Sequence, residues 1–319
     1  MRYFVTGGTG FLGGYLVERL RSAGHVVVAL VRDPSRADAL EAMGADLVQG
    51  DVTDADSMRP AMRGADGIFH VAGWYKIGQR DKHQGTRTNV DGTRNVLALM
   101  QELEIPKGVY TSSLAAFGDT RGHVASESWP LNPRRLVTHY DRTKARAHFE
   151  VALPMMRHGL PLIIVQPGIV YGPGDTSLVH ELLVRYLQGR LRALPSGPAY
   201  NVAHVEDIAQ AHVLAMTKGR PGSCYIIGGP ASTLDQIVSL LEDATGIPAP
   251  TWHLPAWLTR TVATLVPAER VKVLAGVTYL GDDAKARKEW GWSPRSMEDG
   301  MRQTVAAEMR RLAVESPAA

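Results

Sequence analysis

Short apolar runs alternate with amphipathic stretches along the first half of the chain. The runs lie at residues 3–6, 26–31, 46–49, 67–71, 108–112 and 162–166, and the clearest helical patterns at 11–21, 93–103 and 140–157. Because the runs are continuous rather than alternating, they indicate strands that are buried on both faces. Strand and helix in repetition predict a parallel sheet with right-handed crossovers. We therefore expect an α/β, doubly wound parallel sheet.

The pattern changes after Pro167. Proline and glycine cluster at 167–168, 172–174 and 195–198, while 205–216 indicates a helix and 224–227 a strand that returns to the sheet. From residue 231 onward the pattern is mostly helical. We predict a nucleotide-binding domain at 1–166, with 203–229 returning to it. Residues 167–202 and 230–319 are then a smaller, mostly helical substrate-binding lobe.

Composition narrows the function classes. The 319 residues are 45% hydrophobic and 21% charged, which is typical of a globular chain. The single cysteine, Cys224, excludes an internal disulfide framework and a cysteine-based metal site, and none of the 11 histidines falls in a metal-binding spacing. A net charge of +3 gives no support to nucleic-acid binding. Since no run approaches the ~20 apolar residues of a membrane span, we expect a cytoplasmic enzyme without metal or membrane partner.

A glycine-rich turn follows the first predicted strand and opens the first helix. The segment reads TGGTGFLG at residues 6–13, with glycines at Gly7, Gly10 and Gly13. Glycines allow the backbone to approach a pyrophosphate, and the helix N-terminus presents free N–H groups to it. The alternative is a tight turn without a ligand. The strand before and the helix after favour a dinucleotide site.

The residues that follow the second strand indicate which dinucleotide is bound. Arg32 stands about 20 residues beyond the glycines, with Arg36 nearby, where an acidic residue would favour NAD and an arginine the 2′-phosphate of NADP. Asp33 lies between them, but Pro34 follows it and indicates a turn. The alternative for both arginines is ordinary surface charge. We expect NADP, with NAD as the second choice.

Tyr140 and Lys144 lie four residues apart, so they share one face of a predicted helix. A nearby ammonium favours the phenolate form of tyrosine and lowers its pKa. Such a tyrosine can exchange a proton with a hydroxyl or carbonyl oxygen while a hydride moves. Alone, this spacing also fits two unrelated residues on a helix surface.

An ordered series of motifs runs through nearly the whole chain. They are TGGTGFLG at 6–13, GDV at 50–52, FHVAG at 69–73, NVDGT at 89–93, YTSS at 110–113, Tyr140 with Lys144, QPGIVYGPG at 166–174, HVEDIA at 204–209 and WGWSPR at 290–295. In this series the chain resembles the extended branch of the short-chain dehydrogenase/reductase superfamily, which has a Rossmann fold. It is most similar to the dihydroflavonol-reductase-like and NAD-dependent epimerase/dehydratase proteins. Two departures stand out, since no proline precedes Tyr140 closely and Gln166 replaces the usual arginine.

The resemblance implies roles for individual residues. Tyr140 would be the general acid/base, Lys144 would hold the nicotinamide ribose and lower the Tyr140 pKa, and Ser113 would hydrogen-bond the substrate oxygen. The residues implied to bind the cofactor are Thr6, Gly7, Gly10, Phe11, Leu12, Gly13, Arg32, Arg36, Asp51, Val52, Val71, Ala72, Gly73, Asn89, Lys144, Pro167, Gly168 and Val170. Candidates for substrate contact are Trp74, Tyr75, Phe117 and Tyr171, for which core packing is the alternative.

Three functions remain open on this evidence. The first is an NADP-dependent oxidoreductase that transfers a hydride between nicotinamide and a small carbonyl or alcohol substrate. The second is an NAD-dependent nucleotide-sugar epimerase or dehydratase, against which Arg32 argues. The third is a non-catalytic nucleotide sensor, which would not need Ser113, Tyr140 and Lys144. The resemblance also implies a homodimer, in which the helices near 93–103 and 140–157 pair across a two-fold axis.

Overall fold

The computed structural model describes residues 1–75, 77, 82–255, 257–259, 261 and 269–315. Seven parallel strands form the central sheet, in the order β10-β6-β5-β4-β1-β2-β3. The strands of the described chain are β1 Arg2–Thr6, β2 Val26–Val31, β3 Asp46–Gln49, β4 Gly67–His70, β5 Gly108–Thr111, β6 Leu162–Pro167, β7 Ile169–Tyr171, β8 Ala193–Pro195, β9 Ala199–His204, β10 Ser223–Ile227, β11 Ala231–Thr233, β12 Trp252–Leu254 and β13 Thr278–Tyr279. The predicted doubly wound parallel sheet is confirmed.

Helices cover both faces of this sheet. They are α1 Phe11–Ser22, α2 Asp38–Ala42, α3 Ala55–Met62, α4 Lys82–Thr86, α5 Gly92–Glu102, α6 His139–Arg146, α7 Leu153–Arg157, α8 Leu178–Leu187, α9 Val205–Lys218, α10 Leu234–Thr245, α11 Glu269–Val273, α12 Ala284–Trp290 and α13 Met297–Glu315. π-helical turns at Arg87–Asp91 and Ala147–Ala152 join α4 to α5 and α6 to α7. Residues 82–102 and 139–157 are therefore two long helices, each interrupted once.

Alternate residues of the central strands enter two different core layers. Val5 packs with Leu16 and Ile208 on the side of α1 and α9, while Phe4 packs with Met58 and Val96 on the other side. This burial on both faces explains why the strands appear in the sequence as continuous apolar runs.

The C-terminal region contains more β-structure than its helical pattern predicts. β11, β9 and β13 form a second sheet, which β7 joins by pairing with β9, and β12 pairs with β8. Strands of two or three residues are too short to show a periodicity, which is why the sequence pattern misses them. β10 lies beside β6 in the central sheet. The division of the chain into domains at 166, 203 and 229 stays a prediction.

Within the described residues, no helix combines the length and the apolar character that crossing a membrane requires.

Candidate active site

The glycine turn is tightly packed at the carboxyl end of β1. Gly7 has φ +79°, and a Cβ there would lie 2.6 Å from the backbone nitrogen of Ala72. A Cβ on Gly13 would overlap the carbonyl oxygen of Gly7. α1 then begins after Gly10 with no side-chain cap and no acidic residue in its first turn. The N-terminus of this helix thus offers its first N–H groups, from Phe11 onward, to an anion.

A cavity of about 410 Å³ lies beside this helix N-terminus. Its wall includes Phe11, Tyr15 and Gly10 on one side and the segments around Tyr75 and Thr176 on the other. The Tyr75 hydroxyl and Thr176 Oγ1 are 2.9 Å apart, so the loops after β4 and β7 meet across the cavity. Tyr75 remains 42% exposed, which leaves its ring available to a bound molecule.

His70 is an internal link rather than a proton carrier. Its Nε2 lies 3.0 Å from Thr93 Oγ1, whose own hydrogen is donated to the Asn89 carbonyl oxygen, so Nε2 is the donor. Its Nδ1 accepts from Thr6 Oγ1 at 2.8 Å, and Thr6 Oγ1 accepts from the Ala72 amide at 3.2 Å. Burial lowers the His70 pKa to about 3, so the ring stays neutral.

Asn89 fixes the loop that follows β4. Its side chain accepts from the Trp74 amide at 2.7 Å and donates to the Trp74 carbonyl at 2.9 Å and to Thr143 Oγ1 at 2.9 Å. The Trp74 indole is buried against Gly85 and His139. Trp74 therefore packs inside the chain, and its contact with a substrate stays a prediction.

The turn after β2 exposes two cations. Arg32 and Arg36 are both exposed. The Asp33 carboxylate accepts from the backbone nitrogen and the hydroxyl of Ser35 at 3.1 and 2.7 Å, and so caps the turn Pro34–Arg36. Oδ1 of Asp33 is thus bonded within the turn, whereas the guanidinium groups of Arg32 and Arg36 face solvent.

The next predicted cofactor residues lie at the end of β3. Asp51 accepts from the amide and hydroxyl of Thr53 at 2.8 and 2.9 Å. Val52 is buried and packs against Gly92, and its carbonyl accepts from Asn95 at 3.0 Å. Local contacts therefore shape this turn, and contact of Asp51 and Val52 with an adenine stays a prediction.

Tyr140 and Lys144 lie one turn apart on α6, which packs directly against the short helix Leu114–Phe117. Ser113 caps that short helix, and its hydroxyl accepts from the Ala115 amide at 3.1 Å. The Ser113 side chain is also near enough to Tyr140 to act on the pKa of its phenol, which it lowers. The structure thus brings together the three residues for which the sequence predicts catalytic roles.

Burial dominates the electrostatics of this group. It raises the pKa of Tyr140 to about 12, although the hydrogen bond from Ser113 acts in the opposite direction. It lowers the pKa of Lys144, which donates to the Thr111 carbonyl at 2.9 Å, to about 8. The sequence predicts a lowered Tyr140 pKa, and this prediction is wrong for the chain alone. Burial disfavours the phenolate more strongly than the neighbouring Ser113 favours it.

Sequence reasoning overlooked His148, which lies one further turn along the same helical face. Its Nδ1 is 3.0 Å from the hydroxyl of Ser112, which is buried at the end of β5. Burial and the charge of Lys144 lower the His148 pKa to about 4. The spacing of Tyr140, Lys144 and His148 by four residues each is a pattern that could have indicated it.

The segment after β6 lies beside the small sheet. Pro167 ends β6, a Cβ on Gly168 would overlap the Asn201 carbonyl oxygen, and half-buried Val170 pairs with Ala203. The backbone here is held close to β9, and contact of Pro167, Gly168 and Val170 with nicotinamide stays a prediction.

Two substrate candidates are core residues in the structure. Phe117 is 0% exposed and packs against His148 and Phe149. Tyr171 is 2% exposed and meets His204 edge to face. Both rings lie in the core, and contact of Phe117 or Tyr171 with a substrate stays a prediction.

The last groups to consider are the single cysteine and possible metal ligands. Cys224 is a free, buried thiol, and burial raises its pKa to about 11. In the part of the chain that the structure describes, no group of three or more histidine, cysteine or acidic side chains could hold a metal ion.

Comparison with known proteins adds to this geometry. Residues 3–228 match the NAD dependent epimerase/dehydratase family. A protein named "Putative dihydroflavonol 4-reductase" from Synechocystis sp. is 36% identical, over 95% of this chain and 93% of its own length. A 2-alkyl-3-oxoalkanoate reductase from Shewanella oneidensis is 30% identical, over 95% and 85%. The crystal structure of UDP-glucose 4-epimerase from Thermotoga maritima has a TM-score of 0.79 at 23% identity, over 98% and 100%, and shares the fold.

Proposed function

The chain belongs to the NAD dependent epimerase/dehydratase family and is an NAD(P)-dependent oxidoreductase, and on that premise we propose that it reduces a carbonyl substrate with NADPH. Ser113, Tyr140 and Lys144 would carry the reaction. The observation on which this depends is that α6, with Tyr140 and Lys144 one helical turn apart, packs directly against the short helix that Ser113 caps. This arrangement places two oxygen-bound protons beside one ammonium at the carboxyl end of the central sheet.

The residues present fit a dinucleotide. The uncapped N-terminus of α1 suits a pyrophosphate, and the cavity beside it is lined by the glycine turn and by Tyr75. The residues that would hold the cofactor are those of the glycine turn, Asp51 and Val52, Val71, Ala72 and Gly73, Asn89 and Lys144, and Pro167, Gly168 and Val170. When bound, the reduced nicotinamide supplies the hydride. Leu12 and Gly13 contribute backbone near the pyrophosphate rather than side-chain chemistry.

Exposed cations after β2 support NADP over NAD. Arg32 and Arg36 would pair with a 2′-phosphate in charge-assisted hydrogen bonds. Asp33 uses only Oδ1 in its bonds with Ser35, so the preference for NADP rests on the two exposed guanidinium groups and not on the lack of a carboxylate.

The protonation state of Tyr140 favours the direction of reduction. With a pKa near 12 the phenol is protonated at neutral pH, so it can donate a hydrogen bond and then a proton to a carbonyl oxygen. Ser113 would orient that oxygen. Lys144, with a pKa of about 8, is mostly charged at pH 7 and would hold the nicotinamide ribose and stabilise the phenolate that remains.

The substrate class is a carbonyl compound. The two relatives described above carry names of reductases, which supports a carbonyl substrate here. The test is a panel of aldehydes, ketones and 3-oxoacyl compounds, read as loss of NADPH absorbance, with NADH as the matched cofactor. Parallel samples contain UDP-sugars and are analysed for inversion. Reduction of a carbonyl with NADPH supports the proposal, while inversion of a UDP-sugar without net cofactor turnover contradicts it.

We also propose a homodimer. Residues 82–102 and 139–157 run side by side on one face of the sheet and contact each other, and the proposal assigns the outer side of this helix pair to the partner. Light scattering at micromolar concentration should give twice the 34.6 kDa of one chain. A single 34.6 kDa species would contradict it.

A further inference from the structure

A buried carboxylate lies next to Tyr140 in the chain. Asp141 is 1% exposed and accepts four hydrogen bonds. Three are local, from the amides of Val137 and Thr138 at 2.9 and 3.1 Å and from Thr138 Oγ1 at 2.6 Å. The fourth comes from the hydroxyl of Tyr279 at 2.9 Å, 138 residues further along the chain. A helix cap therefore also receives a bond from a distant strand.

The partners of Asp141 favour its ionised form. Two of the four are backbone amides, which can only donate, and both bond to Oδ2. Burial raises the Asp141 pKa, and the hydrogen bonds from Thr138, Tyr279 and Val137 oppose that rise. This geometry supports a carboxylate, rather than a neutral carboxyl, next to Tyr140.

We propose that Asp141 and Tyr279 are positioning residues for Tyr140, which tie the start of the catalytic helix to the small C-terminal sheet. The inference rests on the proposed function of Tyr140 as the proton donor. Tyr279 belongs to β13, which pairs with β9, and its ring stacks on that of Tyr200 with the centroids 6.1 Å apart. One hydrogen bond therefore connects this sheet with the first turn of α6.

The charge of Asp141 acts on Tyr140 as well. It raises the pKa of the Tyr140 phenol, in the same direction as burial and against the hydrogen bond from Ser113. The titratable and charged groups around the pair come from several elements; they are Tyr110 on β5, Lys144 on α6, Tyr279 on β13, Asp119 beside Thr278, and Glu269 of α11 with Arg142 near the helix start. Asp141 directly follows Tyr140 and is nearer to it along the chain than Asp119 or Glu269.

The substitution Asp141→Asn removes the negative charge and keeps nearly the same side-chain shape. The side-chain oxygen of an asparagine can take the place of Oδ2 and accept the hydrogen bonds from the Val137 amide, the Thr138 amide and the Tyr279 hydroxyl. Its NH₂ group then faces Thr138 Oγ1, which can accept a hydrogen bond from it. Lys144 should set a first loss of the reduction rate near pH 8, and Tyr140 a later alkaline limb. Removing the charge of Asp141 should lower the Tyr140 pKa, so this later alkaline limb should move to lower pH by about one pH unit.

Tyr279→Phe is the matched variant, since it keeps the ring and the charge of Asp141 and removes only the bond. We expect kcat to fall several-fold with KM and cofactor affinity unchanged, and the alkaline limb not to move to lower pH. Thermal unfolding and cofactor binding report whether each variant is folded. A folded Asp141→Asn protein with an unmoved limb would overturn the proposal, and so would an unchanged kcat in Tyr279→Phe.

A second readout separates this inference from the proposed function. Tyrosinate absorbance, taken as the difference from the same protein carrying Tyr140→Phe and with NADP⁺ bound, follows the phenol without any substrate. If no carbonyl is reduced but this titration moves to lower pH in Asp141→Asn, the proposed function fails and the electrostatic link stands. A titration that does not move overturns the link.

Discussion

Arg32 is the side chain on which the proposed choice between the two nicotinamide cofactors depends most. Its guanidinium is exposed after β2, where a 2′-phosphate would lie. Arg32→Ala should weaken NADPH binding about ten-fold or more and leave NADH binding almost unchanged, since a charge-assisted pair contributes about 1.5–3 kcal/mol. Titration of tryptophan fluorescence with both cofactors measures this. Equal or tighter binding of NADH by the unmutated protein would contradict the assignment of NADP.

The lowered pKa of Lys144 makes the stability of the fold depend on pH. Its pKa falls to about 8 in the folded chain and is about 10.4 in an unfolded one, so the unfolded state binds the extra proton between these values. Below pH 8 the buried ammonium destabilises the fold in full, and stability rises as pH rises toward 10. Lys144→Met should therefore raise the free energy of unfolding at pH 7, by about 3 kcal/mol less the contribution of the lost hydrogen bond to Thr111.

The gain should shrink as the pH approaches 10, as followed by urea unfolding at several pH values. Lys288→Met, at an exposed position, is the control and should show no such trend. A gain that is independent of pH would contradict the lowered pKa.

Local spacing made part of the site predictable. Tyr140 and Lys144 follow from a four-residue interval, and His148 could have been found by the same rule. The bond from Tyr279 to Asp141 could not, because it joins residues 138 positions apart and depends on how β13 packs. The direction of the Tyr140 pKa was missed for the same reason, since burial is a property of the folded chain.

At the scale of elements, Gly13 fixes the distance between α1 and the glycine turn. A Cβ on Gly13 would overlap the Gly7 carbonyl oxygen. Because that oxygen belongs to the backbone, it cannot easily move away. Gly13→Ala should destabilise the protein by about 1–3 kcal/mol and weaken cofactor binding. Gly14→Ala is the control, since its nearest atom would be Gly8 O at 3.7 Å and alanine favours helix. Thermal unfolding of both variants decides, and equal stability would contradict the close-packing argument.

The strands of the central sheet could be predicted to within one residue, because burial on both faces makes them continuous apolar runs. The sequence predicts one helical stretch at 140–157, whereas the structure has helix from His139 to Arg157 with a π-helical turn at Ala147–Ala152. An extra residue in a helical turn does not alter the apolar pattern enough to be visible. The strands of two or three residues in the C-terminal sheets were missed because they are too short to show a periodicity.

At the scale of the whole molecule, Arg295 joins the C-terminal segment to α9. Its guanidinium contacts Asp207 at 2.9 Å and Glu206 at 2.6 Å, and the Trp292 indole donates to the Asp207 carbonyl at 2.9 Å. Arg295→Ala would leave the buried Asp207 carboxylate without its cation, which should cost about 1–4 kcal/mol. Arg302→Ala, in an exposed pair with Glu298, should cost less than about 0.5 kcal/mol. Similar losses in urea unfolding would contradict this account.

The central claim is that Tyr140 donates the proton to a carbonyl oxygen. Tyr140→Phe retains the ring and removes only the hydroxyl, so single-turnover oxidation of NADPH should slow by about 10²–10⁴-fold. NADPH affinity, measured by fluorescence on the same samples, should change by less than about two-fold, because the proposal assigns the phenol to the substrate oxygen and not to the pyrophosphate. A Tyr140→Phe protein that reduces the parent's substrate at the parent's rate would contradict the claim.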